Sequence, residues 1–261
     1  MDLLFGRISK FNTPLHKIDV RVKITSLITY IVIASTISSK TALFAGILLM
    51  GALVLLARTP VSYIIKRFLW ILPFGGFLII FFPFITPGVS ILKIDLSFVV
   101  LDATLQGVDK AAVLFLRLFS AMLALAVLNA TTGFREIMEG FKHLKVPQIL
   151  VQIVEFTVRY IFVLVDELNR MKVARKSRGY DFKQSILNID ALRTLSQMIG
   201  VLLIRSVERG ERVYNAMLAR GYGGEEHCCG YCKIKKQDLC WGTTLVVFAV
   251  FLKIAEVGGI T

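Results

Sequence analysis

The sequence lacks the short motifs by which many enzymes bind nucleotides, metals or acyl substrates. It contains no G-x4-G-K-[ST] phosphate loop, no H-E-x-x-H zinc motif and no G-x-S-x-G nucleophile motif. Its three histidines, His16, His143 and His227, lie far apart in sequence. We therefore expect that the chain does not hydrolyse ATP alone.

Cysteine is scarce and confined to one short stretch. All four cysteines fall between Cys228 and Cys240, a distribution that excludes a disulfide framework spread over a secreted fold. Cys229 and Cys232 have the C-x2-C spacing of zinc sites, but a second ligand pair is lacking. The pair is a weak metal candidate, and the alternative is reduced cytosolic thiols beside a membrane helix.

Acidic and polar residues are also in short supply. The 31 Lys and Arg residues exceed the 18 Asp and Glu residues, which gives a net charge of +13. Hydrophobic residues make up 56% of the chain and the mean hydropathy is +0.70, too apolar for an ordinary soluble domain. The basic residues lie mostly between and after apolar segments, which favours a membrane protein over a nucleic-acid-binding one. The first 20 residues show no signal-peptide pattern.

Apolar runs with little or no charge predict about five transmembrane helices, and the fold class is all-α, polytopic and membrane-embedded. Pro73, Pro83 and Pro87 predict that the third span is kinked or broken and that irregular backbone follows it. Arg117 interrupts the fourth span and either snorkels from near an end or faces the protein interior. A chain of carboxylates inside the spans is missing, which argues against a self-sufficient secondary transporter. The five runs are 24–39, 41–57, 68–92, 111–134 and 239–252.

The distribution of Lys and Arg predicts the orientation. Basic residues favour the N-terminus, the link after the second span and the long segment 135–238, all of which we expect in the cytoplasm. We divide the chain into N-terminal transmembrane helices (1–134), cytoplasmic-side coupling helices (135–238) and a C-terminal transmembrane helix (239–261). Five spans place the C-terminus outside.

One motif occurs twice, at a constant offset, in the long charged segment. Both copies read acid-x3-Arg-x3-Ala-x3-Arg-Gly-Tyr. The fixed positions are Asp166, Arg170, Ala174, Arg178, Gly179 and Tyr180 in the first copy, and Glu208, Arg212, Ala216, Arg220, Gly221 and Tyr222 in the second.

The spacing of the motif indicates the end of a helix. Steps of four place the acid, both arginines and the alanine on one helix stripe, and an acid four residues before an arginine favours an ion pair, as in Asp166–Arg170 and Glu208–Arg212. Glycine after the last arginine stops a helix because it adopts a left-handed conformation cheaply. Two ordinary helix ends are the simpler interpretation, but the duplication of six positions argues against it.

Two long helices lead to these motifs, over 148–178 and 190–220. Each is apolar near its start and charged near its end, so we expect helices partly embedded in, or pressed under, the membrane. Glu155 and Arg159 in the first are spaced to neutralise each other. The alternative is that one or both helices are further complete spans.

These residues resemble the T component of energy-coupling factor (ECF) transporters, the ABC-type importers of vitamins and transition metals. That family carries two Ala-Arg-Gly motifs near the ends of cytoplasmic coupling helices. The second is present here as Ala219-Arg220-Gly221, and the first departs at one position as Ser177-Arg178-Gly179. The run His16-x2-Asp19-x-Arg21-x-Lys23 is similar to the family's opening signature, with Val20 where a proline is often found.

The resemblance implies a non-catalytic coupling subunit in a prokaryotic plasma membrane, which is not an enzyme and binds no cofactor itself. Its helix ends are implied to dock into two cytoplasmic ABC ATPase subunits, which use ATP and Mg, and to pass their motion to a substrate-binding membrane subunit. The residues implied for ATPase coupling are Ala174, Ser177, Arg178, Gly179, Ala216, Ala219, Arg220 and Gly221.

The sequence leaves alternatives for the transported substrate and for the class of protein. The chain looks most like the CbiQ-type branch, which serves cobalt uptake, while nickel or a vitamin remains open. A substrate-binding S-type component is disfavoured by the large charged segment. Arg175-x2-Arg178-Gly179 slightly resembles membrane-surface phosphatidyltransferases, but their closely spaced metal-binding aspartates are not matched by Asp181 and Asp190.

Overall fold

The fold is predominantly helical. A computed structural model describes residues 14–57, 59, 61–86, 90–96, 99–179, 189–223 and 235–258. Within these residues there are eight α-helices, a 3-10 turn at Pro14–Lys17 and one β-hairpin. The helices are α1 (Val20–Thr36), α2 (Lys40–Leu56), α3 (Val61–Ile85), α4 (Leu105–Thr131), α5 (Phe134–His143), α6 (Gln148–Ser177), α7 (Ile189–Ala219) and α8 (Lys236–Val257).

Five of these helices, α1, α2, α3, α4 and α8, overlap the five apolar runs of the sequence, although the third run extends beyond the end of α3. Among the described residues, α4, α6 and α8 have the length and hydropathy to cross a membrane, and α2 is a shorter apolar helix. The prediction of an all-α polytopic membrane protein is therefore confirmed. Because α6 also qualifies as a span, the alternative placement of that helix stays open.

The third span differs from the expectation. Pro73 and Pro83 lie inside α3, which continues to Ile85 without a break. Proline keeps a helical φ and removes only one backbone donor, so a helix can run through it in a membrane. Among the described residues after α3, the backbone forms a hairpin where irregular structure was expected: β1 (Ser90–Leu96) pairs antiparallel with β2 (Val99–Thr104), with Leu96 opposite Val99.

By contacts the chain divides into two units, Met1–Gly140 with Cys232–Thr261, and Phe141–Tyr231. In the first unit, α4 packs against α1, α2 and α3, and α1 also packs against α8. Tyr30 and Ser120 join α1 to α4 by a buried hydrogen bond of 2.7 Å between their hydroxyls. Gly46 and Gly242 permit close helix approach, since an added Cβ would lie 2.7 Å from the Tyr30 hydroxyl and 2.4 Å from Val22 Cγ1, respectively.

The N-terminal charged segment contributes a cap to α1 and one buried lysine. Asp19 caps α1, and its carboxylate accepts a hydrogen bond from the Arg21 amide at 3.0 Å. Lys23 is 1% exposed, and its Nζ donates to the Thr131 carbonyl at 3.4 Å. Lys23 therefore faces the helix bundle rather than solvent.

Charged side chains fasten the turn between α1 and α2. Arg117 Nε donates to the Ile37 carbonyl at 2.8 Å, so this arginine faces the turn of α1–α2 rather than lipid. Glu256 accepts from the amides of Ser38 and Ser39 at 2.6 and 3.0 Å, and Lys253 donates to the Thr36 carbonyl at 2.8 Å. We name these contacts the turn clamp; they involve α4 and α8 as well as the turn between α1 and α2.

Candidate functional site

The second unit contains both copies of the repeated motif. α6 ends at Ser177 with Arg178 as its C-cap residue, and α7 ends at Ala219. We name Ser177–Gly179 the first Arg–Gly tip and Ala219–Gly221 the second. Both tips terminate long helices, as the spacing of the motif predicts.

Each tip turns at a glycine in the left-handed region. Gly179 has φ +85° and Gly221 has φ +82°, a conformation in which a side chain is strained. The Gly221 amide donates to the Leu218 carbonyl and the Tyr222 amide to the Met217 carbonyl, both at 3.0 Å. This pair of bonds is a Schellman motif, and it fixes the backbone around Arg220.

The side chains assigned to coupling from the sequence are all exposed. This holds for both arginines, both glycines and the small residues of the stripe: Ala174, Ser177, Arg178, Gly179, Ala216, Ala219, Arg220 and Gly221. An exposed guanidinium keeps its five donors for a carboxylate, which it binds with two-pronged geometry. The tips can therefore act as docking points for an acidic surface.

The first tip is the more strongly basic of the two. Lys172, Arg175, Lys176 and Arg178 fall within its last two turns and cap. They lie at the negative end of the helix dipole, where cations are favoured by a few tenths of a kcal/mol to about 1 kcal/mol each. An anionic partner surface is the complement of this helix end.

The two predicted ion pairs along the stripes differ in the structure. Arg212 Nη1 lies 3.7 Å from Glu208 Oε2, whereas the described side chains of Asp166 and Arg170 form no ion pair. Exposed pairs of this kind contribute only about 0.2–1 kcal/mol, so either geometry is compatible with a stable helix. Glu155 pairs with Lys142 of α5 at 3.3 Å instead of with Arg159.

Two side-chain contacts tie α6 to α7 and were not foreseen from the sequence. The Tyr222 hydroxyl donates to Gln152 Oε1 at 2.7 Å, and Arg205 forms an ion pair with Glu167. In α6, Gln152 comes before Glu167, whereas their partners occur in the opposite order, with Tyr222 after Arg205. The two helices therefore run antiparallel. The only sequence signal was the repeated tyrosine, because nothing local marks Gln152 or Glu167 as its partners.

This antiparallel arrangement separates the two tips. The second tip lies beside the start of α6, at Gln152, and the first tip lies at the end of the same helix. About 26 residues separate Gln152 from Arg178, which corresponds to about 40 Å along an α-helix. The two Arg–Gly tips are therefore held far apart by the single continuous helix α6.

Three of the remaining candidate residues lie outside the described part of the chain: the weak metal candidates Cys229 and Cys232, and Tyr180 of the first motif. Cys240 is exposed in α8.

Comparison with known proteins agrees with this architecture. Residues 11–228 match the CbiQ family, described as cobalt transport protein. An energy-coupling factor transporter transmembrane protein EcfT of Listeria innocua is 29% identical over 236 residues, which are 85% of each chain. The cobalt transport protein CbiQ of Rhodobacter capsulatus is 29% identical over 143 residues, 54% of this chain and 57% of its own. An uncharacterized protein of Methanocaldococcus jannaschii is 28% identical over 262 residues, 98% of this chain and 88% of its own.

The Listeria innocua relative is named a transmembrane protein and the Rhodobacter capsulatus relative a transport protein, and the apolar helices of this chain agree with a transmembrane transport protein. Because the family match extends over most of its length, the chain belongs to the CbiQ cobalt transport family, whose relatives here include T components of ECF transporters.

Proposed function

We propose that this chain is the transmembrane coupling subunit of an ECF-type ABC importer. Its two Arg–Gly tips dock onto two cytoplasmic ATPase subunits, which bind and hydrolyse ATP with Mg. α6 and α7 transmit the ATPase motion to a substrate-binding membrane subunit, and the chain itself catalyses no reaction. The observation that carries this proposal is the pair of exposed arginines at equivalent helix ends, held about 40 Å apart along α6.

The docking chemistry requires the tips to be in the cytoplasm. We propose a multi-pass protein of a prokaryotic plasma membrane with its N-terminus and both tips inside. The excess of Lys and Arg in the N-terminal segment and in 135–238 supports this orientation, since positive residues favour the cytoplasmic side.

Cobalt ion is the proposed substrate class. The family description and the Rhodobacter capsulatus relative both name cobalt transport. A coupling subunit does not select the ion, so nickel or a vitamin would indicate a different substrate-binding partner rather than a different role for this chain. Uptake of labelled cobalt by cells expressing the whole transporter, with nickel as competitor, measures the specificity.

The docking proposal is tested by Arg178→Ala, Arg220→Ala and the double variant in the assembled transporter. We expect each single variant to weaken co-purification of the ATPases, because truncating one partner of a desolvated charge pair costs about 2–5 kcal/mol. The double variant should lose both ATPase association and uptake. Arg178→Lys and Arg220→Lys should recover only part of the association, since lysine keeps the charge without the two-pronged geometry.

Arg135→Ala is the matched control, because this exposed arginine lies in α5, outside the two long helices that end in the tips. It should assemble and transport as the unaltered chain does. Normal assembly and uptake by the double variant would overturn the proposal.

A further inference from the structure

The hydrogen bond between Tyr222 and Gln152 is unlike the other polar contacts of the second unit. Gln152 is only 5% exposed, although α6 is largely exposed along its length. Its Oε1 accepts from the Tyr222 hydroxyl at 2.7 Å, across 70 residues of sequence. A buried amide oxygen without its donor would carry a desolvation cost, so this contact fixes the end of α7 on α6.

Tyr222 and Arg220 move together because they share one helix cap. The Tyr222 amide donates to the Met217 carbonyl, and the Gly221 amide donates to the Leu218 carbonyl, each at 3.0 Å. These bonds leave little freedom between the docking arginine and the tyrosine two residues later. A displacement of Arg220 therefore displaces the Tyr222 ring and pulls on Gln152.

One turn after Gln152, α6 makes a second contact with another helix. Glu155, three residues further along α6, forms an ion pair with Lys142 of α5 at 3.3 Å. The first turns of α6 are thus joined to the second tip on one side and to the end of α5 on the other. Contacts of this kind can carry a displacement between elements when both ends are held.

We propose that Tyr222 is a positioning residue, which transmits the movement of the second Arg–Gly tip to the start of α6 through its hydrogen bond to Gln152. This inference rests on the proposed docking of Arg220 and adds a role for the residue after the motif. Tyr222 contributes nothing to holding the ATPase; it determines how much of the ATPase motion reaches α6. The inference concerns the second copy, because the equivalent Tyr180 lies outside the described residues.

The test measures ATP hydrolysis and uptake separately, in the complete transporter reconstituted in liposomes. Tyr222→Phe removes one hydroxyl and keeps the ring. We expect the complex to assemble and to hydrolyse ATP, while uptake per ATP hydrolysed falls about two- to ten-fold, the range expected for one lost hydrogen bond. Gln152→Leu should lower the same ratio to a similar extent.

Two further variants separate coupling from stability. Gln152→Glu keeps an acceptor oxygen for Tyr222 and should retain the uptake ratio better than Gln152→Leu. The Tyr222→Phe, Gln152→Leu double variant should be no worse than either single one, because both changes remove the same bond. Tyr214→Phe is the matched control, since Tyr214 is an exposed tyrosine of the same helix, and it should leave the ratio unchanged.

The outcomes distinguish this inference from the docking proposal. If Tyr222→Phe assembles with an unchanged ratio of uptake to hydrolysis, or if the effects of the two single variants add, the positioning role is overturned. Equal losses of hydrolysis and uptake together with a lower melting temperature would also overturn it, since they indicate a structural role alone. Failure of the docking proposal is instead seen as normal assembly of the Arg178→Ala, Arg220→Ala chain.

Discussion

The left-handed glycines at the two tips are the residues on which the shape of the site depends. An alanine Cβ at Gly221 would meet no atom within 4 Å, so its cost comes from the backbone alone, at φ +82°. We expect Gly221→Ala to lower stability by about 1–2 kcal/mol through that strain. The melting temperature of the purified chain in detergent measures it.

Gly200→Ala is the matched control for this prediction. Gly200 also has open space around an added Cβ and lies inside α7. Alanine there should stabilise the helix by about 0.5–1 kcal/mol. If both variants shifted the melting temperature in the same direction, the strain argument for the tip would fail.

His16 makes stability depend on pH near neutrality. Burial, and then the positive charge of Lys23, lower the pKa of His16 below its usual 6.5, against the opposing effects of an Ala130 backbone hydrogen bond and Glu136. The folded chain therefore binds this proton less readily than the unfolded chain does. As pH falls below about 6.5, the unfolded state takes up more protons and stability decreases.

We expect the melting temperature in detergent to fall as pH is lowered from 7.5 to about 5.5, the range over which an ordinary histidine takes up its proton. In His16→Gln this part of the decline should disappear, because glutamine does not titrate. An identical pH profile for the two proteins would contradict the prediction.

At the scale of the helices, the packing of α1 against α8 depends on Gly242, which has no side chain. A Cβ at Gly242 would lie 2.4 Å from Val22 Cγ1, so Gly242→Ala forces the two helices apart. Overpacking of this kind costs about 1–3 kcal/mol. We expect a lower melting temperature and partial recovery on adding Val22→Ala, which removes the opposing methyl groups.

Gly51→Ala provides the comparison for that helix pair. Gly51 lies within α2, where an added Cβ meets nothing within 4 Å, and its replacement should not lower the melting temperature. If adding Val22→Ala lowered the melting temperature of the Gly242→Ala chain further, steric overlap would not be the cause of its lower stability.

The elements that could be predicted from the sequence are those determined by local chemistry. Apolar runs identified α1, α2, α4 and α8, because a span must be continuously apolar, and Gly179 and Gly221 identified the helix ends. The hairpin β1–β2 was missed, since its charged residues suggested a link between spans, although Val99 and Val100 carry a strand preference. The contact between Gln152 and Tyr222 could not be predicted, because it depends on how two distant segments pack.

At the scale of the whole molecule, the orientation can be tested with single cysteines in a chain whose four native cysteines are replaced. Ser177→Cys at the first tip should react with a membrane-impermeant maleimide only after the cells are permeabilised. Gly258→Cys, exposed after the end of α8, should react in intact cells. Labelling of Ser177→Cys in intact cells would place the tip outside and contradict the docking proposal.

The turn clamp has a mechanical consequence for the first unit. Arg117, Lys253 and Glu256 bind the four consecutive residues 36–39, so the end of α1, the start of α2 and the end of α8 are joined to one another and to the middle of α4. These joined helix ends cannot separate while the contacts are intact. Any rearrangement of α1, α2 and α8 that leaves the turn clamp intact must therefore be widest at the opposite ends of these helices.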